Sequence, residues 1–91
     1  VAEDASWKIA KYYEQHADYQ LAINAYQGFL RNYRTSPKAG QAQAAIAENY
    51  EHLGKWVDAM DAYTNYLNNF PQGPLVIKAK EQINWIKTYR L

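Results

Sequence analysis

Residues 18–30, DYQLAINAYQGFL, and residues 55–67, KWVDAMDAYTNYL, are nearly one phrase written twice, 37 residues apart. At that step Tyr19 meets Trp56, Ala22 meets Ala59, Ile23 meets Met60 and Ala25 meets Ala62. Tyr26 then meets Tyr63, Phe29 meets Tyr66 and Leu30 meets Leu67. The correspondence extends outward, from Ile9-Ala10 over Ile46-Ala47 and Tyr13-Glu14 over Tyr50-Glu51 to Pro37 over Pro74. Self-similarity at a fixed period marks a repeat architecture, in which each copy is one supersecondary unit.

Each copy reads as a pair of helices. Ala5, Ile9, Tyr12, Tyr13 and Ala17 recur at helical spacing, and so do Ala22, Ile23, Tyr26, Phe29, Leu30 and Tyr33. The pattern predicts helices near 3–16, 19–34, 37–53, 56–70 and 74–89. Proline and glycine punctuate RTSPKAG and FPQGPL between them, with Ser36 or Gly73 ahead of a proline suited to a helix's first turn. Ser36 is expected to cap the third helix. Gly54 falls where one helix stops and the next begins, a place for a left-handed cap. Ala17 holds that place in the first copy, which predicts a turn of slightly different shape. In the last segment Ala79 and Ile83 repeat Ala42 and Ile46. The expected organisation is a single domain over 1–91, with a first repeat over about 3–36, a second over about 37–73 and a capping helix over about 74–91.

Bulk properties narrow the function classes. Ninety-one residues make one domain at most, with a core of marginal size. An apolar share of 48% is that of a globular chain, and a net charge of +1 gives no strong field for nucleic acid or an anionic membrane. The absence of cysteine excludes thiolate metal sites, thiol nucleophiles and disulfides, so packing must carry stability. No apolar run approaches the ~18–20 residues of a membrane span, so direct membrane insertion is not expected. The chain opens VAEDASW without methionine, which is expected of a mature or excised piece.

The residues resemble the tetratricopeptide repeat, whose pattern places a Trp, a Gly and a Tyr in the first helix, Ala and Phe in the second, and a closing Pro. The second copy carries Ile46, Ala47, Tyr50, Gly54, Trp56, Ala59, Tyr63 and Pro71; the first carries Ile9, Ala10, Tyr13, Tyr19, Ala22 and Tyr26, with Arg34 in place of the proline. Ser6 and Gln43 replace the large aromatic, and Phe29 and Tyr66 stand where alanine is usual. The aromatic-Leu pair before NYR or NNFP, with its Ser-Pro or Gly-Pro restart, is similar to the repeats of the outer-membrane barrel-assembly lipoprotein and of the periplasmic Tol-Pal coordinator of Gram-negative bacteria. That resemblance implies an all-α, right-handed superhelical stack of antiparallel helix pairs: two pairs and a C-terminal capping helix. It implies a protein-binding scaffold of the bacterial envelope, periplasmic or associated with the outer membrane.

One helix pair cannot bury its own apolar stripe, so neighbours must stack. The first helix offers Ala5, Ile9 and Tyr12 with nothing before it, which predicts either an upstream repeat or a partner copy on that stripe. In the fifth helix Asn84 and Lys87 stand where Ala10, Ala47, Tyr13 and Tyr50 face their second helices, which predicts a polar cap.

Catalysis finds no support. Two histidines, His16 and His52, with no converging third ligand make no metal site. Ser6 and Ser36 lack a histidine-acid arrangement, and neither phosphate-cradling glycine motif occurs. No cofactor is implied. Lys78, Lys80, Lys87 and Arg90 read as a solvated face and not as a nucleic-acid patch. What remains is the surface lined by first helices. Its outward residues are Trp7, Lys11 and Glu14, then Gln41, Ala44, Ala45, Glu48 and Glu51, then Lys78, Glu81, Gln82 and Trp85. Ala44 and Ala45 are expected to form an apolar floor between Trp7 and Trp85, which would anchor a partner segment. The alternative reading is an assembly element that self-associates through Ala5, Ile9 and Tyr12.

Overall fold

A computed structural model describes residues 2–91. Five α-helices of 14 residues follow one another: α1 (Ala2–Gln15), α2 (Tyr19–Asn32), α3 (Ala39–His52), α4 (Trp56–Asn69) and α5 (Val76–Tyr89). Ala2, Ala39 and Val76 start helices at a 37-residue step, as do Tyr19 and Trp56, so the backbone repeats with the period of the sequence. No strand occurs among the described residues. Nor is any of their helices long and apolar enough to cross a membrane.

The two turns inside the copies have one shape. Gly54 has φ 72° and Ala17 φ 60°, both left-handed, against the expectation that Ala17 would alter its turn. The next amide reaches back in the same way each time: Asp18 N–H donates to the Tyr13 carbonyl and Lys55 N–H to the Tyr50 carbonyl, both at 2.9 Å. Those bonds satisfy carbonyls left over at the helix ends. Holding an alanine there costs about 1 kcal/mol.

The helices that follow the turns between the copies start later than the prolines suggest. Ala39 N–H donates to the Ser36 carbonyl at 3.0 Å and Val76 N–H to the Gly73 carbonyl at 3.4 Å, so Pro37 and Pro74 lie in turns ahead of α3 and α5. Ser36 is not the cap of α3, since that helix begins after Lys38. Its Oγ instead accepts from Lys38 N–H at 3.1 Å and donates to Glu3 Oε2 at 2.7 Å, tying the turn to α1. The second turn is built differently. Tyr66 Oη accepts from Leu75 N–H at 3.0 Å. A Cβ added to Gly73 would collide with that hydroxyl and stand 3.1 Å from the Phe70 carbonyl oxygen. The equivalent pair is Phe29 and Ser36, where a ring without a hydroxyl leaves room for a side chain.

Each helix packs on its chain neighbours, α1 on α2, α2 on α3, α3 on α4 and α4 on α5. The result is a slab of 41 × 30 × 16 Å. Alanines at the crossings (Ala10, Ala22, Ala42, Ala47, Ala59 and Ala79) let the helices approach closely, and all are buried. Tyr26, Phe29, Tyr63 and Tyr66 fill the space beyond, each at most 1% exposed and each contributing roughly 1.5–3 kcal/mol of burial. The helix most enclosed is α3, packed between α2 and α4. Even Gln43 is buried there, its Nε2 donating to the Ala62 carbonyl at 3.2 Å.

The two ends of the slab differ. Ile46 is 4% exposed and Asn49 fully buried, whereas their equivalents in α1, Ile9 and Tyr12, are 52% and 55% exposed. Ala5 is exposed too, while Ala42 and Ala79 are buried. On α5 the exposed positions include Lys80, Asn84 and Lys87.

Candidate functional site

Side-chain hydrogen bonds tie α1, α3 and α5 together as one face. Glu14, near the end of α1, is the first node. Its Oε1 accepts from Tyr26 Oη at 3.1 Å, its Oε2 accepts from Asn49 Nδ2 at 2.8 Å, and the Lys11 ammonium lies 3.4 Å away. Glu51 is the second node: Tyr63 Oη donates to Oε1 at 2.7 Å and Gln82 Nε2 to Oε2 at 2.9 Å. Burial, reinforced by the neighbouring carboxylates, holds both phenols well above the ordinary tyrosine value, so they remain neutral donors. Asn49 Nδ2 also donates to the Ala45 carbonyl at 2.7 Å, and its Oδ1 is buried without a partner.

The nodes are alike in their tyrosine and unlike in everything else. One period on from Asn49 stands Ile86, and one period back from Gln82 stands Ala45. The amide that serves the carboxylate has therefore moved by one helical turn between copies. One period on from Lys11 stands Glu48, so a cation beside Glu14 becomes an anion beside Glu51. Lys78 answers it from α5, 2.7 Å from Glu48 Oε2, and that hydrogen bond raises the ammonium's affinity for its proton.

A pocket of about 300 Å³ opens at the second node, lined by Glu48, Glu51, His52, Trp56, Gln82 and Trp85. Trp56 and Trp85 meet edge to face at 6.0 Å and 61°. The Arg90 guanidinium lies 4.8 Å from the first ring and 5.1 Å from the second, within cation–π range. The Tyr19 ring stacks on His52 at 4.5 Å and 11°, fixing the imidazole at the pocket's rim.

Of the residues expected to line a groove, Glu48, Glu51, Lys78, Gln82 and Trp85 come together here, and Glu81 is exposed beside them on α5. Others do not. Trp7 is half-buried, edge-on to Tyr26 at 5.4 Å and Phe29 at 5.3 Å, with the Lys11 and Lys38 ammonium groups 5.4 and 5.3 Å from its ring. It buttresses the core. Ala44 and Ala45 are 6% and 5% exposed, too enclosed within α3 to serve as an open floor. Glu14 is taken up by its three donors. Gln41 faces the other end of the slab, in a hollow of about 230 Å³ between the two proline turns. Trp56 and His52 line the pocket although the pattern did not place them there. The signal for Trp56 was its position as the first residue of a helix, where a large ring overhangs the turn toward the next helix.

The reverse face holds a cleft of about 350 Å³ across α3, where Arg31, Asp58 and Asp61 stand at the rim and no tryptophan reaches. Among the described residues no group of three or more His, Asp or Glu is placed to hold a metal ion. The pattern of the tetratricopeptide repeat matches residues 4–36 and 39–73, the stretches that carry α1–α2 and α3–α4. Comparison with curated proteins finds no match.

Proposed function

The chain belongs to the tetratricopeptide repeat family, and on that premise we propose that it is a non-catalytic scaffold that docks a partner segment along the face of α1, α3 and α5. Repeats of this family generally mediate protein–protein interaction, and stacked repeats present extended surfaces for it. The observation that carries the reading is the pocket at the second node. There Trp85 is 38% exposed although it is one of the largest apolar side chains, beside Trp56 and two carboxylates. A rigid aromatic at the mouth of a hollow is an anchor for a ligand.

The test is to select binders from a displayed random-peptide library and map them by amide chemical shifts. The expected shifts fall on Glu48, Gln82 and Trp85. Shifts confined to the outer sides of α2 and α4 would end the reading. Trp85→Ala is expected to weaken a selected peptide by about 1–3 kcal/mol while leaving helicity nearly intact.

A second reading, self-association through Ala5, Ile9 and Tyr12, is supported by the exposure of Ile9 and Tyr12 where Ile46 and Asn49 are covered. Sedimentation across a concentration series decides it, because Ile9→Glu must abolish any dimer that forms. The division into two repeats and a capping helix belongs to the same proposal. So does an envelope setting, periplasmic or at the outer membrane, supported by the resemblance of the Phe29-Leu30 and Tyr66-Leu67 junctions. Fractionation of the source cells into cytoplasmic, periplasmic and outer-membrane pools tests the setting.

A further inference from the structure

We propose that the pocket at the second node takes a guanidinium or ammonium side chain of the docked segment. The proposal rests on the docking reading above and adds to it the chemistry of the ligand. Three observations carry it.

The first is charge. Glu51 receives both of its bonds from neutral donors, Tyr63 and Gln82. Lys78 binds Glu48 and not Glu51. One carboxylate at the pocket thus has no cation within hydrogen-bond distance, Lys78 reaching it only through space, and a carboxylate so placed attracts a cation. The second is the pair of indoles beside it. Trp56 and Trp85 line the same pocket as Glu48 and Glu51, and an indole face attracts a cation more strongly than other rings do. The third is that a cation already uses these rings. The chain's own Arg90 sits over both of them without lining the pocket, which leaves the pocket side open.

Repeat 1 supplies the contrast. There Lys11 contacts Glu14, and Lys11 and Lys38 lie over Trp7, so its carboxylate and its indole are both already served by lysines. The exchange of Lys11 for Glu48 one period later removes the cation beside the carboxylate, and Trp56, Gln82 and Trp85 stand one period on from Tyr19, Ala45 and Glu48.

The probe is N-acetyl-arginine amide, compared with its neutral isostere N-acetyl-citrulline amide, on the full 91-residue chain. The readout is the indole N–H signals of Trp7, Trp56 and Trp85. The arginine probe is expected to shift Trp56 and Trp85 saturably and to leave Trp7 unmoved, with the citrulline probe at least roughly tenfold weaker, the factor set by one charge contact. Glu48→Lys, which writes the repeat 1 residue into repeat 2, is expected to weaken the arginine probe by roughly fivefold or more. Glu48→Gln is expected to have a smaller effect in the same direction. Equal shifts by both probes, no saturable shift, or undiminished binding by Glu48→Lys would overturn the proposal. Library peptides that map to this face but bind equally well after Glu48→Lys would sink the cation pocket and spare the docking reading. Arginine binding at the indoles with peptides mapping to α2 and α4 would do the reverse.

Discussion

Glu14 and Glu51 sit one period apart, each takes a hydrogen bond from a buried tyrosine of the following helix, and there the likeness ends. Around Glu14 the second donor is Asn49 and the neighbour is Lys11; around Glu51 they are Gln82 and Glu48. The tyrosine bond joins the two helices of one copy, where the buried alanines Ala10 and Ala22 recur as Ala47 and Ala59. The second donor comes from the following copy, and nothing in the crossing fixes which turn of that helix must provide it. An amide four residues earlier serves as well, provided a small or apolar residue takes the vacated place. The two nodes show which contacts the architecture imposes and which it leaves free to become a surface.

The sharpest way to break the likeness is to exchange the residues that fill the proline turns. Gly73→Ser writes the repeat 1 residue against the Tyr66 hydroxyl and is expected to cost about 3 kcal/mol by overpacking, read as a lowered urea midpoint. Adding Tyr66→Phe should restore at least half of that loss. No rescue would mean that the hydroxyl is not what excludes a side chain there.

Next in size is the relocated amide. Asn49→Ile strips Glu14 Oε2 of a buried donor and is expected to cost about 2 kcal/mol. Ala45→Gln in the same chain recreates the repeat 2 arrangement and should recover part of the loss, measured as a double-mutant cycle. Additive losses would show that the two nodes are not interchangeable.

The left-handed turns provide a smaller, signed test. Ala17→Gly is expected to stabilise by about 1 kcal/mol and Gly54→Ala to destabilise by a similar amount, both read from thermal midpoints. The phenols provide the last test, one of pH. The folded chain raises the pKa of Tyr26 and Tyr63 above the unfolded value of 10.0. Their contribution is therefore complete below that value and is lost as pH rises beyond it. Alkaline absorbance titration should show Tyr26 and Tyr63 ionising only as the chain unfolds, and Tyr63→Phe should reduce that late absorbance change.

The period alone was enough to place every helix, because Ala22, Tyr26 and Phe29 recur with the spacing of Ala59, Tyr63 and Tyr66 and only stacked helix pairs bury both sets. Helix starts were legible to within two residues, since a proline marks a turn without saying whether the helix begins at it or after it. The site was less legible. A helical spacing gives the direction of a side chain from its own axis but not what its neighbours bring. Trp7 points outward from α1 and still meets Tyr26 and Phe29 of α2 and Lys38 of the following turn. Ala44 and Ala45 point toward the same face, yet α3 is too enclosed to leave them open. The bond from Asn49 to Glu14 could not be read at all, because the alignment of copies sets Asn49 against Ile86.

The coupling of ring and turn, Phe29 with Ser36 and Tyr66 with Gly73, also bears on how such a gene grows. In unequal exchange between copies, a joint between ring and turn that passes from the first copy into the second pairs Phe29 with Gly73 harmlessly. One that passes from the second into the first marries the hydroxylated ring to the serine. Such recombinants are expected to misfold, whereas joints outside that stretch yield viable arrays. A library of hybrids with crossovers at every codon, sorted for protease resistance, should therefore show a gap there for joints that pass from the second copy into the first.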